Sequence, residues 1–520
     1  MKQSAPKSSS DIISRGLKVY LFATAALTGA AIMIIEILGA KMLAPYVGTS
    51  HFVWTAQIAV TLLALATGYA VGGWLADKSP QPAWVYGGIV VAAAWLGFSV
   101  IACESVAYWC LRFRLAAGSL MAAVALFFVP LALLAMVGPF FVRVMASSVA
   151  HVGSIVGRLT SLSTIGSVAG TILIGYVLIP LLPNSVTMSL TAALLVATAI
   201  GFFFAWGRKT RSPGVVGGAA SLLVIGLAAV QRPAVGTVGV KEVFSANSNF
   251  GLLQVVETES GGRRWFLNDL LTQNTYAPQS GQSMSLFTHM LYGLAKSYTP
   301  ELHEALCVGL GVGIVPMQLA REGVKVDVVE INPVVVPIAR QFFGFDPARV
   351  TLHIGDGRYY FNTTTRRYDA VVLDAFLGES PPSHLMTRES FQAVHRCLKP
   401  GGTLVMNTFA DLSPGRDFLG VSLLRTLRTV FKNVVIHDAQ NGNVFYVASD
   451  REPFVMLKPP QLESVPESLR WAVEAAFGNR LSMDRSEGAV LTDNYNPADF
   501  YDAQNREALR RLLAISYRPD

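Results

Sequence analysis

Charged residues are scarce in this chain: Asp, Glu, Lys and Arg make up 14% of its 520 residues, against 52% hydrophobic, and the mean hydropathy is +0.44. A soluble globular domain carries about 25% charge, so a wholly water-soluble protein is excluded. Acids are nearly missing from the first half. Residues 1–235 hold only Asp11, Glu36, Asp77 and Glu104 against 14 Lys and Arg, which leaves 30 of the 34 acids and 27 of the 41 bases to residues 236–520. The halves therefore carry formal charges of +10 and −3 and are different materials joined near residue 235. Clusters of Lys and Arg interleaved with aromatics are also absent, which argues against a nucleic-acid surface; the basic pI of 9.2 reads as charge flanking membrane helices. Cysteine is sparse as well. Cys103, Cys110, Cys307 and Cys397 fall in no CxxC or Cys/His spacing, so neither a disulfide framework nor a structural zinc is expected.

Long apolar runs, in contrast, are plentiful. A membrane helix needs about 20 mostly apolar residues, and seven stretches qualify, near 19–43, 52–74, 83–103, 116–142, 153–182, 185–206 and 213–231. The start, MKQSAPKSSSDIISRGLK, is basic and serine-rich, but the run after it exceeds a signal-peptide core and further spans follow, so an uncleaved first span is expected. Lys2, Lys7, Arg15 and Lys18 precede the first span, Lys78 follows the second, Arg143 and Arg158 flank the break after the fourth, and Arg208, Lys209 and Arg211 follow the sixth. Cytoplasmic loops are enriched in such residues, which predicts a cytoplasmic N-terminus in the cell (inner) membrane. Seven crossings would then put the second half outside, in conflict with a cytoplasmic catalytic domain. Either 213–231 does not cross, or a long segment hides a break, or the second half is not cytoplasmic.

Glu36 is an acid inside an apolar span, read as either functional or paired within the helix bundle. The small residues of GYAVGGWLADK (68–78) and GRLTSLSTIGSVAGT (157–171) predict close helix packing.

From residue 240 the pattern shortens. FGLLQVVET, RRWFLND and LTQNTY have the content of a small antiparallel sheet, and a helix near 281–296 follows. Strands at 304–309, 325–330, 350–354, 369–374 and 402–407 then alternate with helices at 313–322, 333–343, 357–363 and 387–398, which predicts a doubly wound parallel sheet. ALCVGLGVG ends a strand on Gly309, Gly311 and Gly313, a turn that lets the backbone approach a bound nucleoside. VDVVEINP ends the next strand on Glu330, where a carboxylate can accept from both ribose hydroxyls. IGDGRYYF places Asp356 and Gly357 at the third strand end, and YDAVVLDAF places Asp374 at the fourth. Four acidic or glycine-rich strand ends in register predict nucleoside binding.

GLGVG, VVEINP, GDGRYYF and VVLDAF, in this order and spacing, resemble the spermidine synthase (polyamine aminopropyltransferase) family within the class I S-adenosylmethionine-dependent, Rossmann-like fold. NDLLTQ, with Asp269 and Gln273, and LKPGGTLVMNT resemble further motifs of it, and the preceding membrane half resembles its multi-pass branch. The resemblance covers about 240–450. It implies that Glu330 holds the ribose, Asp356 the adenine amino group, Gln273 the nucleoside's tail side and Asp374 the acceptor amine. The sequence departs from the family where an acid before the last glycine is expected, which is Val312, and where a second acid follows the first aspartate by three residues, which is Leu377. A Tyr-His pair on the helix after the small sheet is replaced by Phe287 and Thr288, with His289 next to them.

The expected organisation is a membrane domain over 1–235, a small sheet with its connecting helix over 236–300, and a Rossmann-like catalytic domain over 301–520. The expected activity is aminopropyl transfer (class 2.5.1) to an amine such as putrescine, with S-adenosylmethionine or its decarboxylated form as co-substrate, no permanently bound cofactor and no metal. Glu379, in LGESPPSHLMT, and Asp493, in LTDNYNPADFY, are candidate substrate contacts. Two alternatives stay open: an enzyme acting on full S-adenosylmethionine, and a non-catalytic nucleoside-binding domain coupled to a transporter-like membrane half. The expected partners are the lipid bilayer and a small-molecule acceptor; a homodimer is compatible with the sequence.

Overall fold

The computed structural model describes residues 14–47, 51–110, 112–113, 115–146, 152–207, 211–230, 239–376, 381–481, 488–502, 505 and 508. The chain divides into two units, Met1–Ala234 and Val235–Asp520.

The first unit is helical. Among the described residues six helices are long and apolar enough to cross a membrane: α1 (Arg15–Val47), α2 (His51–Lys78), α3 (Pro82–Cys110), α4 (Leu115–Met145), α5 (Val152–Leu178) and α6 (Asn184–Ala205). The seventh stretch also forms a helix, α7 (Arg211–Val230), packed against α3 and α6. The small-residue stripe of α5 lies on α1, where a Cβ at Gly166 would stand 1.9 Å from the Ala26 carbonyl oxygen, so no larger residue fits. Asp77, ending the 68–78 motif, pairs with Arg143 of α4 at 3.1 Å.

Proline shapes α4 and α5 without breaking either into two crossings. A π-turn at Val124–Phe128 precedes Pro130, and another at Ile174–Leu178 precedes Pro180. Pro130 has no N–H to give the carbonyl four residues back, that of Leu126. The neighbouring α3 supplies the missing donors: Trp95 Nε1 donates to the Leu126 oxygen at 3.2 Å and Ser99 Oγ at 2.8 Å.

The second unit opens with a five-stranded antiparallel sheet in sequential order, β1 (Val240–Ser248), β2 (Gly251–Thr258), β3 (Arg264–Asn268), β4 (Leu271–Ala277) and β5 (Gln282–Ser283). Helix α8 (Leu286–Tyr298) leads from it into an eight-stranded sheet. Strands β6 (Glu304–Val308), β7 (Lys325–Glu330), β8 (Thr351–Ile354), β9 (Tyr368–Leu373) and β10 (Leu398–Phe409) are parallel, in the order 8-7-6-9-10. Helices α9 (Ile314–Arg321), α10 (Val335–Phe343), α11 (Gly357–Thr363) and α12 (Arg388–Arg396) connect them.

The sheet is not parallel throughout. After α13 (Phe418–Arg428), strands β11 (Asn433–Asp438) and β12 (Asn443–Ser449) form a hairpin whose β12 runs antiparallel to β10. Beyond α14 (Glu467–Gly478), the short β13 (Arg480–Leu481) pairs antiparallel with β11. The Asn441-Gly442 pair is the hairpin's local signal, with Gly442 at φ +93°.

Two apolar layers sandwich this sheet. Cys307, Val328, Val372, Val405 and Phe445 face one, with α8, α9, α10 and α14; Val308, Val329, Leu373, Met406 and Tyr446 face the other, with α12 and α13. Parallel strands buried on both faces read as continuous apolar runs, and the polar residues that end them are therefore conspicuous.

Candidate active site

A cavity of about 390 Å³ lies in the second unit, at the carboxyl ends of the parallel strands. Gly309, Gly311, Gly313, Glu330, Asp356, Gly357, Asp374 and Gln273 all line it. Open α/β sheets bind ligands at this edge because the strand-to-helix turns leave a crevice there.

The turn after β6 is shaped by close approach. A Cβ at Gly309, whose φ is +94°, would fall 2.1 Å from the Asp374 carbonyl oxygen. Val312 sits between the last two glycines and is 1% exposed. The turn delivers the Leu310 N–H to Glu330 Oε2 at 2.8 Å, and the Asn332 N–H reaches Glu330 Oε1 at 2.7 Å. Both oxygens are thus oriented toward the cavity's edge by backbone donors. Burial pushes the Glu330 carboxyl up, while the N–H groups of Leu310, Asn332 and Ile331 pull it down.

Asp356 caps α11 through Oδ1, which accepts from the Tyr359 N–H at 2.9 Å, and its Oδ2 lies 2.8 Å from His384 Nε2. Partial burial works to raise this carboxyl, but the Tyr359 N–H and His384 outweigh it and hold it below the ordinary aspartate value. Asp374 follows β9 directly and is half-buried at the cavity wall. Burial pushes its carboxyl up to about 6, against the opposing hydrogen bond from Asn407 Nδ2 to Asp374 Oδ1 at 3.0 Å.

Asp493 is not in the cavity wall. It pairs with Arg358, which donates to its Oδ1 at 2.6 Å, and accepts from the Thr387 hydroxyl at 2.7 Å. Arg358 also holds the His384 carbonyl, and Asn496 holds that of Ser383. The 491–496 segment therefore buttresses the 382–385 turn from outside. Glu379 and Leu377 lie outside the described residues. His289 is buried with Nε2 3.0 Å from the Ser283 carbonyl oxygen, a packing role; Phe287 and Thr288 line the cavity.

Asn268, Phe376, Asn407, Phe409 and Asn443 also line the cavity and were not singled out from sequence. Asn407 carried a usable signal, being the polar residue near the end of the otherwise apolar run LVMNT.

A mixed sheet with glycine turns and acids at consecutive strand ends, around a cavity of about 390 Å³, is a Rossmann-like domain of the methyltransferase type. The spermine/spermidine synthase domain family matches residues 284–436. The polyamine aminopropyltransferase of Vibrio vulnificus is 42% identical over 213 residues, 39% of this chain and 71% of that protein. Putrescine N-methyltransferase 2 of Nicotiana tabacum is 29% identical over 205 residues, 38% of this chain and 55% of that protein. Among solved structures, a probable spermidine synthase from Corynebacterium glutamicum aligns with a TM-score of 0.37 at 19% identity, covering 49% of this chain and 98% of that one. The chain belongs to the spermine/spermidine synthase family, and its second unit is a transferase domain of that type.

Proposed function

We propose that this chain is a membrane-anchored aminopropyltransferase that moves the aminopropyl group of decarboxylated S-adenosylmethionine to a primary amine. One observation carries the reading: Glu330, Asp356 and Asp374 line the cavity, and no Lys or Arg does so among the described residues. A cavity with three carboxylates and no fixed cation suits substrates that arrive positively charged and lack a carboxylate of their own. In this reading Glu330 takes the ribose hydroxyls, Asp356 the adenine amino group and Gln273 the sulfonium side of the tail. Asp374 receives the acceptor ammonium and takes one of its protons. The freed lone pair attacks the carbon beside the sulfonium; a C–N bond forms, the C–S bond breaks and methylthioadenosine leaves. The donor is already activated, so the protein supplies orientation, proton removal and exclusion of water.

Val312 favours a second reading. An acid there would pair with the ammonium of the aminopropyl tail, and its replacement removes a repulsion that a methionine carboxylate would meet. Full S-adenosylmethionine would then be the donor, for methyl transfer or cleavage of the methionine tail. Mass spectrometry after incubation with each donor and a panel of amines separates the two readings. Methylthioadenosine and an aminopropylated amine are expected; S-adenosylhomocysteine and a methylated amine would establish the second.

The Glu330 role predicts that Glu330→Ala weakens methylthioadenosine binding at least about tenfold, since the ribose hydroxyls lose their acceptor. Calorimetry on the purified chain measures this, and an unchanged affinity would remove the ribose assignment.

A cytoplasmic transferase domain, on the side where nucleoside donors are made, combined with a cytoplasmic N-terminus requires an even number of crossings; in this reading the six long apolar helices cross and α7 lies along the membrane or is re-entrant. A cytoplasm-specific reporter fused after residue 240 is expected to be active, and one that works only outside to be silent; the reverse pattern would place the domain outside.

A further inference from the structure

We infer that Asn443, acting with Asn407, sets acceptor specificity by seating an unsubstituted primary amine beside Asp374. This rests on the amine-transfer reading above and adds the residues that choose among amines.

The sheet register brings the groups together. On the parallel ladder Leu373 pairs with Met406, which sets Asp374 beside Asn407; on the antiparallel ladder Phe409 pairs directly with Asn443. Asp374, Asn407, Phe409 and Asn443 therefore share one face, and all line the cavity. Asn407 and Asn443 are 3% and 7% exposed.

The orientation of each side-chain amide is set by chemistry. The ionised Asp374 carboxylate can only accept, so Asn407 must turn its Nδ2 toward it. The Asn441 oxygen accepts the Asn443 backbone N–H at 3.0 Å, so the Asn443 atom beside that oxygen, at 3.1 Å, must be Nδ2. Each amide thereby commits its nitrogen and leaves its oxygen over. Both oxygens, Asn407 Oδ1 and Asn443 Oδ1, are buried and have no hydrogen-bond partner among the described residues. A buried acceptor without a donor is costly, and a ligand in the cavity is the available source.

A primary ammonium brings three N–H groups. Asp374 and the two amide oxygens offer three acceptors. Once one proton has passed to Asp374, the remaining two N–H groups have the two amide oxygens, and the lone pair is free to attack. A secondary amine brings one N–H fewer and leaves one oxygen unpaired at each stage. Phe376 and Phe409, with ring centroids 5.3 Å apart, supply the apolar and π surface for an alkyl stem and its cationic head.

Calorimetry on the full chain in detergent, saturated with methylthioadenosine, tests this with 1,4-diaminobutane and its N,N′-dimethyl derivative. The wild type is expected to bind the unsubstituted diamine at least about tenfold more tightly, the value of about one lost hydrogen bond to a charged group. Asn443→Leu, which removes the oxygen, is expected to abolish most of that preference while leaving methylthioadenosine affinity unchanged. A preference that survives in Asn443→Leu, or no diamine binding by the wild type, overturns the inference. Should the leucine also cost methylthioadenosine affinity, Asn443→Ala removes the same oxygen without bulk, and its diamine preference decides. If the wild type shows the preference yet turns over no decarboxylated donor, the transfer reading falls and the amine seat stands.

Discussion

Asp374→Asn is expected to lower amine transfer by about 10³-fold, the scale of a lost general base, with methylthioadenosine affinity kept. The substitution preserves shape, and Asn407 Nδ2 can still donate to the retained side-chain oxygen. What is lost is the charge that draws in the ammonium and the site that takes its proton. The pH dependence gives a second signature. With the carboxyl raised to about 6, the wild-type kcat/KM should climb through that pH and level off above it, and the variant's residual activity should lack this limb.

Stability separates this effect from unfolding. A carboxyl whose folded pKa is raised above its unfolded value, about 3.9, stabilises the fold only while protonated. That contribution is complete below the unfolded pKa and is lost as pH rises through about 6. At pH 8 the native Asp374 is therefore a poorly solvated charge, and the neutral asparagine should melt no lower than wild type. An inactive variant with a lowered Tm would instead point to damage. Full activity in the variant would remove Asp374 from the mechanism.

Val312→Asp is expected to shift the ratio of dissociation constants toward decarboxylated over full S-adenosylmethionine by about 100-fold. Unit charges about 4 Å apart interact by roughly 4 kcal/mol at an effective dielectric of 20. The new acid gains that attraction from an aminopropyl ammonium and meets repulsion from a methionine carboxylate. Desolvating the new carboxylate in place of a side chain now 1% exposed lowers the affinity for both donors, so the ratio is the quantity to measure. An unchanged ratio would mean that the tail lies away from this turn.

The transferase half was largely legible because its strands are buried on both faces. VDVVE and YDAVVL read as apolar runs that stop abruptly at Glu330 and Asp374, and polar residues at such stops had to lie at the sheet's edge. The predicted strand at 325–330 coincides with β7, and the predicted helix at 357–363 with α11. The antiparallel edge was missed for a physical reason. Its strands follow the last βα unit, and nothing in NVVIHD or NVFYVAS distinguishes an antiparallel partner from a parallel one; only the Asn441-Gly442 turn does. Asn443 entered the cavity through that hairpin, so missing the turn meant missing the residue. Asp493 shows the opposite failure. An acid in a polar, aromatic segment resembles a substrate contact in one dimension, but Arg358 on α11 claims it in three.

The Leu126 carbonyl, left without its own helix's donor by Pro130, bears on how the helical half would enter a bilayer. A helix that left the insertion machinery alone would carry this acceptor into hydrocarbon, where water cannot satisfy it. Because α3 precedes α4 in synthesis, Trp95 and Ser99 are already in place when Pro130 emerges, and the two helices can enter as a hairpin that seals its own defect. Chains lacking those donors would meet that cost during insertion, at a step in which the transferase domain has no part.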